Sequence, residues 1–220
     1  FLMHGWGMTE MSPLGTATVK TKEMESMDIE ARYDLQQRQG KAFFGVDMTI
    51  ADDDGNELPQ DGVAFGRLLV KGPTIVDTYF KSNESAKDEN GWFDTGDVAK
   101  IHPEGYMEIV DRSKDVIKSG GEWISSIDLE NAAVGHPGVA EACVIGVLHA
   151  KWDERPLLLI VKANNEDPSK EDINKYLEDK VAKWWLPDDI VFVEELPHTA
   201  TGKLLKTGLR EDYKSHLINK

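Results

Sequence analysis

Apolar residues in this chain never run longer than a strand requires. The longest stretch, Pro156 to Val161, falls far short of the ~18 residues needed to cross a membrane as a helix. Gly and Pro, 19 and 9 of 220 residues, break up the rest. Such a chain must build its core from short elements joined by tight turns, and the rhythm of those elements changes once, near Asp111-Arg112. Before that point, short strand-like segments alternate with turns. After it, helical and strand-like segments alternate, which predicts an α+β unit. The fold class expected for the whole is α+β: a β-rich part over residues 1–112 and a small α+β domain over residues 113–220.

In the first part, residues 1–20 read as a Gly-, Met- and Thr-rich loop. Residues 21–40 are charged and only sparsely apolar, which predicts a helical or partly mobile excursion. Ala42 to Ile50, Ala64 to Lys71, Val98 to Ile101 and Tyr106 to Val110 read as strands. Asp52-Asp53-Asp54-Gly55-Asn56 reads as a turn, since Asp and Asn tolerate left-handed geometry and Gly adopts it freely. It lacks the spacing of a calcium loop. In the second part, Ser125 or Ser126 caps a helix over Ile127 to Val134, which Gly135 stops. Val139 to Val147, Leu157 to Val161 and Ile190 to Val193 read as strands. Ile173, Leu177 and Val181 recur every four residues and predict a helix from Pro168-Ser169 to Leu186-Pro187. A last helical pattern runs from Leu204 to Leu217, weakened by Gly208.

The formal net charge is −15, with 40 acidic and 25 basic residues. A general nucleic-acid binder would present a basic face, so that class is disfavoured. The acidity is uneven. Residues 1–111 carry 21 acidic and 10 basic residues, and residues 112–220 carry 19 and 15, so an anionic ligand meets less repulsion in the second part. The single cysteine, Cys143, excludes an internal disulfide and a Cys-based metal cluster. Its apolar neighbours predict a buried structural thiol, and the cysteine usage suits a reducing, cytoplasmic compartment. His102, His136, His149, His198 and His216 have no metal-ligand spacing among them. The start at Phe1 shows no signal peptide and reads as an entry into the middle of a longer chain.

Four stretches hold more Gly, Thr, Asp and Lys than a scaffold needs. They are Gly5-Trp6-Gly7-Met8-Thr9-Glu10, Trp92-Phe93-Asp94-Thr95-Gly96-Asp97, Asp111 to Gly121, and Pro197-His198-Thr199-Ala200-Thr201-Gly202-Lys203. Each alone is compatible with turns and surface charge. Together and in this order they resemble the adenylate-forming superfamily of acyl-CoA synthetases, peptide-synthetase adenylation domains and beetle luciferase. Gly120-Gly121-Glu122-Trp123-Ile124-Ser125-Ser126 and Trp184-Trp185-Leu186-Pro187 are similar to the medium- and long-chain fatty acyl-CoA synthetases and the methylmercaptopropionate-CoA ligase type. The resemblance covers nearly the whole chain but only the later part of a family member.

That resemblance implies an ATP-dependent ligase with two half-reactions. A carboxylic acid, a fatty or medium-chain acyl compound, attacks the α-phosphorus of MgATP. The thiol of coenzyme A then displaces AMP. Trp6, flanked by Gly5, matches an aromatic that packs on adenine, and His4 beside it is a candidate contact to the base edge. Thr9 matches a hydroxyl on the α-phosphate, and Glu10 a carboxylate that holds Mg²⁺. Asp97 matches the carboxylate that accepts from both ribose hydroxyls, and Arg112 an arginine on the ribose or phosphates. Lys114 falls at the hinge about which the C-terminal lid swings. Gly121 falls where the pantetheine arm of CoA passes close to backbone. Lys203 matches the lysine needed for adenylation. Trp123 departs from relatives that carry a phosphate-contacting Arg there.

By the same resemblance, residues 1–112 are the end of a large AMP-binding domain and 113–220 its lid. The phosphate-wrapping loop of the family is not in this sequence, so these residues alone are expected to turn over no ATP. A homodimer is possible for the parent protein. Two other readings stay open: an adenylation module that hands its product to a carrier protein, and a truncated, non-catalytic protein that binds CoA or a partner.

Overall fold

The computed structural model describes residues 2–200 and 202–218. The chain divides into two compact units between Ser113 and Lys114. Among the described residues no helix is long and apolar enough to cross a membrane.

The first unit is built on a seven-stranded sheet. Its strands are β1 (Gly5–Gly7), β2 (Leu14–Ala17), β3 (Gly40–Ala42), β4 (Asp47–Ala51), β5 (Phe65–Lys71), β6 (Phe93–Ile101) and β7 (Tyr106–Arg112). Their order across the sheet is β1-β2-β3-β7-β6-β5-β4, with every pairing antiparallel. β5 shows the period of two that a half-buried strand requires: Gly66, Leu68 and Val70 are buried and their neighbours are not. Leu68 and Val70 meet Ile50 of β4, Ala99 and Ile101 of β6 and Met107 of β7 in one apolar cluster.

Two expectations change here, and the helical reading of residues 21–40 holds. Residues 1–20 are not only loop, because β1 and β2 form a short antiparallel pair there, too brief to leave an alternating pattern. The strand expected over Ala42 to Ile50 is broken into β3 and β4. Gly45, at φ +86°, turns the chain between them and leaves Phe44 fully exposed. Residues 21–40 form two capped helices, α1 (Lys22–Ser26) and α2 (Ile29–Gln37). The Thr21 and Asp28 side chains accept from the Met24 and Ala31 N–H groups, which satisfies donors at each N-terminus. Only Met24 of these helical residues is buried.

The second unit has a five-stranded sheet with helices on both faces. Its strands are β8 (Ile117–Ser119), β9 (Glu122–Ile124), β10 (Val139–His149), β11 (Asp153–Lys162) and β12 (Asp189–Val193). Its helices are α3 (Ser126–Val134), α4 (Lys170–Glu178) and α5 (Lys206–Tyr213). β10 and β11 form a long antiparallel hairpin, and β12 returns through α4 to lie parallel to β11. Burial on both faces explains why residues 142–147 of β10 carry no polar side chain. Ala142 and Val144 pack with Leu129 of α3 and Ile173 and Leu177 of α4. Cys143, Ile145 and Val147 pack on the opposite face with Leu209 and Tyr213 of α5. The β8–β9 hairpin left no sequence signal, because three-residue strands are too short to show a period.

α3 is capped by Ser125, whose hydroxyl accepts from the Asp128 N–H. α4 opens with a reciprocal Ser169–Asp172 capping box. It ends earlier than its apolar period suggests. The Lys180 and Val181 N–H groups both reach the Leu177 carbonyl, closing the helix in a turn, while Val181 still packs on the core from outside it. The last helix is likewise shorter than expected, ending at Tyr213.

Candidate active site

Among the described residues, Asp97 is one of two buried carboxylates of the first unit, the other being Asp111. Asp97 lies in the middle of β6, four residues inside a strand that begins at Phe93, earlier than the apolar run from Val98 indicates. Gly96, at φ +71°, precedes it, and the β6–β7 register shifts between Val98 and Ala99, so the strand bends at this carboxylate. Arg112 is its register partner on β7, and the Arg112 guanidinium forms an ion pair with it, Nε lying 2.9 Å from Asp97 Oδ1. The indole N–H of Trp6 donates to Oδ2, also at 2.9 Å. The backbone N–H of Asp97 donates to Thr95 Oγ1 at 3.1 Å, and that hydroxyl donates to the Leu68 carbonyl at 2.9 Å. Burial raises the Asp97 carboxyl pKa above the ordinary carboxylate range. The Trp6 hydrogen bond and the Arg112 charge pull it back down, and Asp94 pushes it up further. Asp97 is 5% exposed, whereas the Arg112 side chain is 54% exposed and remains open to an incoming group.

Trp6 stands on β1, packed against the apolar cluster of the sheet and close to the backbone of Gly15. A Cβ placed on Gly15 of β2 would come within 2.7 Å of the indole ring and 2.5 Å of the Met11 methyl. Gly7 is held equally close to the Pro13 carbonyl, where a Cβ would lie at 2.1 Å. Beyond β1 the chain makes a single 3-10 turn, Thr9–Met11, whose Met11 is buried in the core while Thr9 stays exposed. The segment 72–79 fastens this turn. The Val76 N–H donates to the Glu10 carbonyl at 2.8 Å, and Tyr79 Oη donates to Glu10 Oε1 at 3.0 Å. Burial, then the Glu10 carboxylate, raises the Tyr79 pKa, so the phenol stays a donor.

The first unit thus brings Trp6, Asp97 and Arg112 into direct contact and presents Thr9 and Glu10 on the turn that follows Trp6. His4 is engaged elsewhere. Its Nδ1 meets the Gln37 carbonyl at the end of α2, 3.0 Å away, beside a cavity of about 800 Å³ that Tyr33 and Arg32 also line.

In the second unit, Lys114 is its first residue and is exposed. Gly121 joins β8 to β9 at φ +89°, and a Cβ there would meet nothing of this chain within 4 Å. Lys203 lies exposed on a tight hairpin. The Thr199 N–H donates to the Lys203 carbonyl, the Lys203 N–H to Thr199 Oγ1, and the Leu205 N–H to the Pro197 carbonyl, at 2.7, 3.1 and 2.8 Å. Thr201 of that motif, like Phe1, lies outside the described residues. Below the hairpin, Lys206 opens α5 and pairs with Glu130 of α3 at 2.7 Å.

Comparison with known proteins gives two family models in order along the chain. Residues 1–80 match the AMP-binding enzyme model, and residues 128–203 match the AMP-binding enzyme C-terminal domain. The 3-methylmercaptopropionyl-CoA ligase of Ruegeria lacuscaerulensis is 54% identical over 98% of this chain and 40% of its own length. The chain belongs to the AMP-binding enzyme family. Within that family, the medium-chain-fatty-acid–CoA ligase of Ectopseudomonas oleovorans is 45% identical over 99% of the chain and 40% of its own length. Among solved structures, ATP-bound MatB from Rhodopseudomonas palustris superposes with a TM-score of 0.81 at 30% identity, covering 98% of this chain and 41% of that one. The chain therefore spans about 40% of the length of these relatives. They are acyl-CoA ligases and an ATP-bound structure of the same fold, as the sequence motifs implied.

His4, Gly5, Trp6, Thr9 and Glu10 fall inside the AMP-binding match, and Lys203 is the last residue of the C-terminal match. Family membership raises the question of Mg²⁺. Among the described residues no group of three or more His, Cys, Asp or Glu could hold a metal. Glu10 alone still fits this ion, which takes one or two carboxylates and fills its remaining positions with water and phosphate oxygens. Sequence reasoning did not reach Tyr79, which lies 69 positions from the Glu10 it contacts. Thr95 was visible as part of the Asp94-Thr95-Gly96-Asp97 motif.

Proposed function

We propose that this chain supplies the AMP-recognising strands and the lid of an AMP-forming acyl-CoA synthetase. Residues 1–112 are the end of the large AMP-binding domain, and 113–220 are the lid, with Lys114 at the hinge. The observation that carries this reading is Asp97, a buried carboxylate with one protein partner at each oxygen, the Trp6 N–H on Oδ2 and the Arg112 charge at Oδ1. Each oxygen keeps at least one lone-pair site free, which is what a ribose 2′,3′-diol needs. Trp6 offers its flat face to adenine. The Thr9 hydroxyl and the exposed Arg112 guanidinium reach toward the phosphates.

Mg²⁺ held by Glu10 would neutralise phosphate charge as the acyl carboxylate attacks. The Lys203 ammonium, carried on its hydrogen-bonded hairpin, balances charge on the same phosphate and the attacking carboxylate. Gly121 leaves room for the pantetheine arm of coenzyme A. The substrate class is a medium-chain or methylthio-substituted carboxylic acid, supported by the relatives at 54% and 45% identity. A cytoplasmic enzyme fits this chemistry.

The test uses the whole protein. It should consume ATP only in the presence of such an acid and transfer the acyl group to CoA. Transfer to a carrier protein but not to CoA would overturn the synthetase reading. AMP binding without any acyl transfer would make the chain a binding protein.

A further inference from the structure

Trp6 does more in this structure than offer a face to a base. Its indole N–H is spent on Asp97 Oδ2 at 2.9 Å, across 91 positions of sequence. A carboxylate on a short Asp side chain turns about its last bond unless donors hold it. Here two partners hold it, each at a different oxygen: Trp6 of β1 donates to Oδ2, and the Arg112 guanidinium of β7 pairs with Oδ1. The indole lies close against Gly15, where any side chain would strike the ring. The backbone is fixed as well, through the Asp97 N–H to Thr95 and from Thr95 to the Leu68 carbonyl.

We infer that Trp6 is a positioning residue for ribose recognition: its N–H, opposite Arg112, locks the plane of the Asp97 carboxylate so that both oxygens face the diol. This inference rests on the assignment of Asp97 to the ribose and adds the residue that orients it. The Trp6 hydrogen bond also favours the charged form of Asp97. Its burial favours the neutral acid, and the charged groups facing it are Arg112, which opposes this, and Asp94, which adds to it. Asp94 is itself paired with Arg67 at 2.8 Å. A hydrogen bond to a charged group is worth enough that its loss weakens binding by about ten-fold.

The experiment measures binding of AMP and of 3′-deoxy-AMP to the whole protein and to its W6F, D97A and double variants. W6F keeps an aromatic face for adenine and removes only the N–H. Wild type should prefer AMP over the 3′-deoxy compound. W6F should cut that preference by about ten-fold. In the D97A background, W6F should have no further effect on the preference, because the two residues act as one unit.

Wild type that does not distinguish the two nucleotides would overturn the ribose assignment itself. Wild type that distinguishes them, with W6F keeping the full preference, would overturn the positioning role and leave the ribose assignment standing. If W6F fails to fold, the unaltered chain still decides by NMR. The Trp6 indole proton should titrate together with the Asp97 carboxyl, and an indole proton indifferent to that titration would refute the contact.

Discussion

At the residue scale, the molecule sets one buried carboxylate against the cost of burying it. Burial raises the pKa of Asp97, so the folded value lies above the unfolded one. The sign follows by linkage. The contribution of this group to stability is complete below the unfolded carboxyl pKa and is lost as pH rises through the raised folded value. Nucleotide binding should run the opposite way, because only the carboxylate accepts from two hydroxyls. AMP affinity measured against pH should therefore fall on acidification with a midpoint above the ordinary Asp range near 3.9, and D97N should abolish both the affinity and that midpoint. A midpoint at the ordinary value would contradict the burial account.

Lys203 makes a second prediction at this scale. In the whole protein, Lys203→Ala should abolish acyl-AMP formation and leave thioester formation from supplied acyl-AMP intact. Equal loss of both half-reactions would refute its assignment. Cys143 makes a third. It is fully buried and its thiol is pushed up to about 12, first by burial and then by the nearby Glu130 charge. Iodoacetamide should label it only as fast as the second unit unfolds. The sequence foretold that burial, from the apolar neighbours of Cys143. It did not foretell the Trp6–Asp97 contact, because a bond between side chains 91 positions apart leaves no local pattern.

At the scale of elements, what the sequence showed depended on length. β5, β10 and β11, at seven to eleven residues, declare themselves by alternation or by continuous apolar runs. β1, β8 and β9 have three residues each, less than two periods of a strand, and stay silent. The split between β3 and β4 was hidden because Phe43, Phe44 and Val46 continue the apolar run through the turn. The α4 pattern overran its helix because Val181 packs on the core after the helical hydrogen bonds have ended.

Tight approaches make the elements testable. Gly40, the first residue of β3, sits at φ +92°, and a Cβ there would fall 1.9 Å from the Ala17 backbone. Gly40→Ala should destabilise the first unit by about 3 kcal/mol or more in denaturant titration, combining left-handed strain with displacement of β2. An unchanged midpoint would show that β2 and β3 are not packed as described. Leu177→Ala should cost the second unit about 2–5 kcal/mol, since its side chain is fully buried between α4 and the sheet.

At the scale of the whole molecule, each unit owns a core. The first is gathered around Ile50, Leu68 and Met107. The second has one cluster on each face of the β10–β11 hairpin. The change of texture near Asp111-Arg112 was visible in the sequence because a chain that switches from strands and turns to alternating helices and strands switches architecture. The acyl group was not legible in the same way. The residues that would enclose it are not identified among these 220, and the chain spans about 40% of its relatives' length.

The central claim is that the whole protein activates a carboxylic acid as an acyl-AMP. It is tested most directly by following ¹⁸O from a labelled carboxylate during turnover with ATP and CoA. Attack by the carboxylate on the α-phosphorus makes a bond from its oxygen to that phosphorus, and the thiol then breaks the bond between that oxygen and the acyl carbon. The account predicts one labelled oxygen in each AMP, with unlabelled pyrophosphate released. Label in inorganic phosphate with ADP as the nucleotide product, or AMP without label, would contradict it.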